Sequence, residues 1–141
     1  ESVKRNIDLS IILNKLKNER ISFINLQYGD VSNEIYFAKK KLGIDILDLK
    51  KISNFNDIDG LLEIIFKCDV IISIDNSTIH LAGSIGKDTR ALIPYSSDFR
   101  WGLKSNKSYW YKTLKLYRQK NVKDWKDPLD KLYEDIKYLI N

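Results

Sequence analysis

Apolar residues recur along this chain in two rhythms, and each rhythm places an element. Leu9, Ile12, Leu13 and Leu16 share one face at helical spacing, which predicts a helix from Asp8 to Glu19. Ile21 to Leu26 is a short run rich in β-formers, Asn33 to Lys41 reads as a helix, and Ile44 to Leu49 is a second apolar run after Gly43. Asp57 stands where a cap belongs, ahead of a helix from Ile58 to Lys67 whose Leu61, Leu62, Ile64, Ile65 and Phe66 predict heavy burial. Val70 to Ile74 is almost wholly apolar, the pattern of a parallel strand covered on both faces. Thr78 to Ile85 then reads as a helix stopped by Gly86, and Thr89 to Ile93 as a strand before Pro94. Leu114 to Tyr117 is a weak last strand, and Pro128 suits the first turn of a closing helix through Ile140. This alternation predicts a doubly wound, Rossmann-like parallel sheet with helices on both faces, which takes ligands at the carboxyl ends of its strands. The pattern opens on a helix, so a first strand is missing from it, and residues 1–141 read as one domain cut from a longer chain.

Composition narrows the setting. A single cysteine, Cys68, cannot form an internal disulfide, and no apolar run is long enough to span a bilayer. Both point to a reducing, cytoplasmic location. The formal charge of +5 is a weak argument for nucleic acid, because Lys, Asn and Ile are abundant together, as A/T-rich codons make them. One histidine and one cysteine leave no zinc set, and "DID" at Asp57 to Asp59 reads as a helix cap rather than a metal motif. The expected site therefore uses neither a metal nor a cofactor. The chain has no G-x-G-x-x-G, no Walker loop and no G-x-S-x-G elbow.

The chain's one histidine, His80, follows Asp75, Asn76, Ser77 and Thr78, where the most apolar strand gives way to a helix. With Ser77 as the cap, His80 falls at the third helical position, beside free backbone N–H groups. Those groups and the helix dipole form an anion site whose natural ligand is a phosphate. On the other reading of the same residues, Asp75 and Ser77 are ordinary turn and capping residues and His80 meets no ligand. The long loop from Tyr95 to Tyr111 carries Asp98, Phe99, Arg100, Trp101, Tyr109 and Trp110. Its two tryptophans serve either to pack the loop down or, with the basic residues between them, to stack single-stranded RNA.

Five segments occur in order after Phe55: DNSTIHLAGSIGKD, LIPY, DFRW, SYWYK and LYRQ, preceded upstream by KRNIDL and FINLQYGD. Together they resemble the donor-binding C-terminal half of GT-B glycosyltransferases. The resemblance is to bacterial enzymes in which tetratricopeptide repeats precede a heptosyltransferase-like domain. It implies a nucleotide-sugar-binding domain of an enzyme that transfers a sugar from a nucleotide-diphosphate donor to a hydroxyl acceptor. It sets Asp75, Asn76, Ser77 and Thr78 near the diphosphate and sugar with His80 beside them, Gln27 and Gly29 along the nucleotide, Glu34 at the ribose and Arg5 near the phosphates. The N-terminal acceptor domain and the repeats would lie outside this chain. The catalytic base belongs to that missing half, so no catalytic residue is assigned and the chain alone is expected to be inactive. Asn76, Asp88 and Lys112 depart from the Thr, Pro and Pro typical of those enzymes. Two alternatives remain beside this reading, a non-catalytic α/β module binding a nucleotide or a protein, and a single-stranded RNA-binding domain.

Overall fold

The computed structural model describes residues 6–49 and 57–141. α1 (Leu9–Leu16) is capped by Asp8, whose Oδ1 accepts the Ser10 N–H at 2.8 Å. It stops short of Glu19 because the Lys17 backbone turns to ψ 117, out of the helical range. β1 (Phe23–Ile24) and β2 (Ile46–Leu47) form a short parallel ladder, shorter than the apolar runs that predict them. Between them α2 (Ser32–Phe37) runs on into a π-helical stretch, Ala38–Leu42. Gly43, at φ +65, closes it and lets the Ile44 N–H reach back to the Ala38 carbonyl at 3.1 Å.

The larger sheet follows. α3 (Ile58–Lys67) takes its cap from Asp57, whose Oδ1 accepts the Gly60 N–H at 2.8 Å, so the acidic "DID" stretch is a helix start. Next come β3 (Ile71–Ile74), α4 (Ser77–Ser84), β4 (Thr89–Ile93), a 3-10 turn (Phe99–Trp101), β5 (Leu114–Arg118) and α5 (Lys126–Ile140). β3, β4 and β5 pair in parallel in that order, with Ile71 opposite Thr89 and Thr89 opposite Leu114. The period of two then sorts the side chains. Ile72, Ile74, Leu92 and Tyr117 face α1 and α5, meeting Leu16, Leu129, Leu132 and Ile136. On the other face Ala91, Ile93, Leu114 and Leu116 meet Ile79 of α4 and Trp101, and Ile71 meets Ala82 of α4 and Leu61 and Ile65 of α3. The protein is thus an α/β structure on parallel sheets, with helices packed on both faces of the larger one. Among the described residues no helix is long and apolar enough to cross a membrane.

A polar chain crosses the α5 side. Arg90 donates to both Asp88 oxygens at 2.8 and 3.0 Å and to the Tyr117 hydroxyl at 3.0 Å, and that hydroxyl donates to Asp135 at 2.9 Å. Lys115 also binds Asp135. Burial pushes the Tyr117 phenol up to about 12, so it remains a donor at every physiological pH.

Leu132 is completely buried in this layer. Leu132→Ala is expected to cost about 2–5 kcal/mol in urea denaturation, the transfer loss plus a cavity. Asp130 ties α5 to α1: Lys126 at 2.8 Å and Lys15 at 2.5 Å hold its carboxyl down at about 2, below the ordinary 3.8. A depressed carboxylate stabilises the fold above its unfolded pKa and ceases to do so as pH falls through its folded one. The stability difference between the native chain and Asp130→Asn, measured by denaturation at several pH values, should therefore be full above about pH 4 and close towards pH 2.

Candidate functional site

β3 ends at Ile74, and the chain turns directly into α4 at the carboxyl edge of the larger sheet. Asn76 is extended (φ −151, ψ −177) and its Oδ1 accepts the Thr78 N–H at 3.0 Å and the Ser73 hydroxyl at 3.1 Å. Asn76 is therefore the cap, not Ser77, which already lies in the first turn. His80 consequently sits at the fourth helical position, one later than the sequence suggests. Thr78 is buried, Asp75 is half-buried, and Asn76 and Ser77 are exposed. The first-turn amides of Ser77 and Ile79 have no acceptor within the helix, and the dipole adds positive potential there.

His80 is half-buried and held on two sides. Its ring stacks on Trp101 with centroids 5.1 Å apart and planes at 28°, and its Nδ1 lies 3.0 Å from the Tyr111 hydroxyl. Tyr111 occupies the helix face that His80 and Gly83 share at i, i+3. The tyrosine ring fits only because residue 83 has no side chain, since a Cβ there would stand 2.5 Å from Tyr111 Cγ. Among the described residues Nε2 of His80 makes no hydrogen bond, so it is the ring nitrogen that a ligand can meet.

The segment between β4 and β5 forms a strap over this edge. Asp98 caps the 3-10 turn, its Oδ1 accepting the Arg100 N–H at 3.0 Å, and Trp101 is fully buried. Arg118, the last residue of β5, donates to the carbonyls of Ser105 at 2.8 Å, Gly102 at 3.2 Å and Trp101. No carboxylate pairs with Arg118 among the described residues, and burial pushes its pKa below the ordinary value. A guanidinium stays charged even so, which leaves a half-buried cation without a counterion. The neighbouring Gln119 accepts the Tyr95 N–H at 3.0 Å through Oε1, which fixes the amide orientation. Its Nε2 and the Trp101 Nε1 are buried donors with no partner among the described residues.

Sequence-predicted residues fall into three groups here. Asp75, Asn76, Ser77, Thr78 and His80 stand together on the β3–α4 turn. Gln27 and Gly29 belong to the exposed segment after β1, where Gly29 has φ +84. Glu34 lies exposed in the first turn of α2, with no side-chain hydrogen bond or ion pair tying it to that turn. Arg5 lies outside the described residues. Tyr111, in the aromatic loop and SYWYK, and Arg118 and Gln119, in LYRQ, were noted in the sequence only as motif residues and not as site residues. A signal for Arg118 was present, because Leu114, Leu116 and residue 118 share one face of β5 and a charge there ends a buried row.

Gly83→Ala tests the clamp. Its Cβ displaces the Tyr111 ring, and the expected loss is about 1–3 kcal/mol of stability with the fold retained. The single imidazole resonance should shift as the His80–Tyr111 hydrogen bond breaks. An unmoved resonance in a folded variant would show that Gly83 does not seat Tyr111.

No family model matches the chain. Protein FlbA of Caulobacter vibrioides is 31% identical over 112 residues, which are 79% of this chain and 18% of FlbA. The chain thus spans about a fifth of that relative's length. The name of this relative designates no glycosyltransferase, and the expectation drawn from the motif resemblance is corrected accordingly: the GT-B assignment does not carry over to this protein. What the comparisons support is similarity to a segment of FlbA.

Proposed function

We propose that the chain is a binding module for a nucleoside diphosphate or a conjugate of one, held at the carboxyl edge of β3 and β5. The observation that carries this reading is the stacking of His80, in the first turns of α4, on Trp101, whose carbonyl the Arg118 guanidinium holds. The α4 N-terminus opens at the same carboxyl edge. A diphosphate matches first-turn amides, an imidazole N–H and a guanidinium better than a neutral ligand does.

The proposal extends to the sheet. Phe23 of β1 packs with Ile72 and Ile74 of β3 on one cluster, and Leu26 packs with Ile71 on another. Both favour β1 lying beside β3, in the order β2-β1-β3-β4-β5. That order has its switch point between β1 and β3, where doubly wound sheets bind nucleotides. Gln27 and Gly29 would then flank the crevice opposite Asp75 to Thr78.

Calorimetric or NMR titration with uridine, guanosine and adenosine diphosphates and their sugar conjugates tests the reading. The expected affinity is millimolar to high micromolar, about 4–6 kcal/mol. His80→Ala should weaken it by about 1–3 kcal/mol, the range for a charge-assisted hydrogen bond. If no diphosphate binds while single-stranded RNA does, with a steep salt dependence, the module reads nucleic acid and the proposal fails.

A further inference from the structure

The strap between β4 and β5 has an inner and an outer side. Trp101 and Tyr111 turn inward, whereas Phe99, Leu103, Tyr109 and Trp110 are 82%, 91%, 80% and 64% exposed. Leu103 is the most exposed large hydrophobic residue among those described. The outer side is not a collapsed loop. Arg118 holds the carbonyls of residues 101, 102 and 105, and the Leu116 N–H holds that of Asn106 at 2.8 Å, so the apolar tips are presented on a fixed backbone. Interleaved with them are Lys104, Lys107 and Lys112, none of which makes an ion pair among the described residues. The only carboxylate of the segment, Asp98, already caps the 3-10 turn and lies 3.7 Å from Arg100. Four large apolar side chains and three cations without an ion pair among the described residues are thus exposed within one segment, residues 99–112.

We infer that this strap docks the protein on an anionic phospholipid surface. Leu103, Tyr109 and Trp110 enter the headgroup boundary, and Lys104, Lys107 and Lys112 meet the lipid phosphates and carboxylates. Charge complementarity specifies an anionic partner, and the apolar residues choose among the anionic ones. Leu103 has no aromatic face on which a base stacks, so its exposure contributes nothing to binding a nucleic acid strand. An aliphatic tip beside tyrosine and tryptophan suits the boundary between headgroup and acyl chain, where amphipathic rings collect.

The test uses the full 141-residue chain and vesicles of phosphatidylcholine with and without phosphatidylserine. Of the three tryptophans, Trp101 and Trp125 are buried, so Trp110 is the one whose fluorescence reports a change at the surface. Phosphatidylserine vesicles should pellet the protein and shift its emission to the blue, with binding weakened by salt. The Leu103→Ser variant should bind about tenfold more weakly. A double variant, Lys104→Gln with Lys107→Gln, should bind about thirtyfold more weakly. All these side chains are exposed, so both variants should unfold at the temperature of the parent, which separates lost docking from lost folding. Absence of binding overturns the inference, as does equal binding to phosphatidylcholine alone or unchanged binding by either variant. Binding of a single-stranded oligonucleotide without any binding to vesicles overturns it in favour of nucleic acid.

Discussion

Arg118 commits its guanidinium to backbone carbonyls rather than to a carboxylate, and the geometry of the whole ligand edge depends on that choice. A charge taken half out of water needs oriented dipoles or a counterion, and carbonyls supply the dipoles while leaving the net charge in place. One interaction therefore has two effects. It fixes the strap at residues 101 to 105, and it keeps a positive charge at the end of β5. Because the strap is fixed, Trp101 fills the space between β4, β5 and α4, and its ring becomes the platform on which His80 stacks. A lysine at 118 would keep the charge but not the planar fork that reaches several carbonyls, so the two effects would separate.

The opposite face of the sheet is organised differently. There α5 lays Leu129, Leu132 and Ile136 over Leu92 and Tyr117, and a chain of hydrogen bonds runs from Asp88 through Arg90 and Tyr117 to Asp135. Every charged member of that chain has an opposite charge near it. Burial alone would lower the Arg90 pKa, but its bonds to Asp88 and Tyr117 raise it overall, whereas Arg118 has no such partner among the described residues and shifts the other way. Two arginines at comparable depth thus differ in role: one is neutralised within the scaffold, and the other leaves its charge available at the edge.

How much of this was legible in the sequence depended on whether a residue's neighbours shared its period. α3 and β4 occupy the ranges their patterns predict, Ile58–Lys67 and Thr89–Ile93, because Asp57 is an unambiguous cap and Pro94 an unambiguous stop. The start of α4 was misplaced by one residue, since Asn76 and Ser77 are both good caps and only the backbone geometry distinguishes them. The strap has no period at all, so its anchors stood out only as motif residues, with Trp101 one of two packing candidates and the partners of Arg118 unmarked. They explain the motif resemblance in physical terms. DFRW is a capped 3-10 turn ending in a buried tryptophan, the tyrosine closing SYWY rests on Gly83, and the arginine of LYRQ is the strap clamp. Each motif answers a packing requirement of this local architecture, and an architecture hosts many activities. A set of such motifs therefore reports how the edge is built rather than which reaction, if any, takes place there.

His80 joins the edge to the strap. With Nδ1 bound to the Tyr111 hydroxyl, the two ring nitrogens are no longer equivalent, and what remains at Nε2 follows from what Tyr111 does. When the hydroxyl donates to Nδ1, Nε2 carries the proton and is a donor towards an anion at the start of α4. When the imidazole is protonated, Nδ1 donates to the hydroxyl and Nε2 is a donor again. In both of these states Nε2 is a donor, whereas the neutral tautomer that keeps its proton on Nδ1 and donates to the hydroxyl leaves Nε2 an acceptor, so an anion at the start of α4 selects the first two. Ligand and strap are then coupled through one ring. An anion that binds better when His80 is so oriented must, by linkage, stabilise the seated position of Tyr111 by the same amount. The strap carries both that seat and the exposed apolar tips, so the histidine's surroundings beside α4 and the outer surface belong to one continuous segment of backbone.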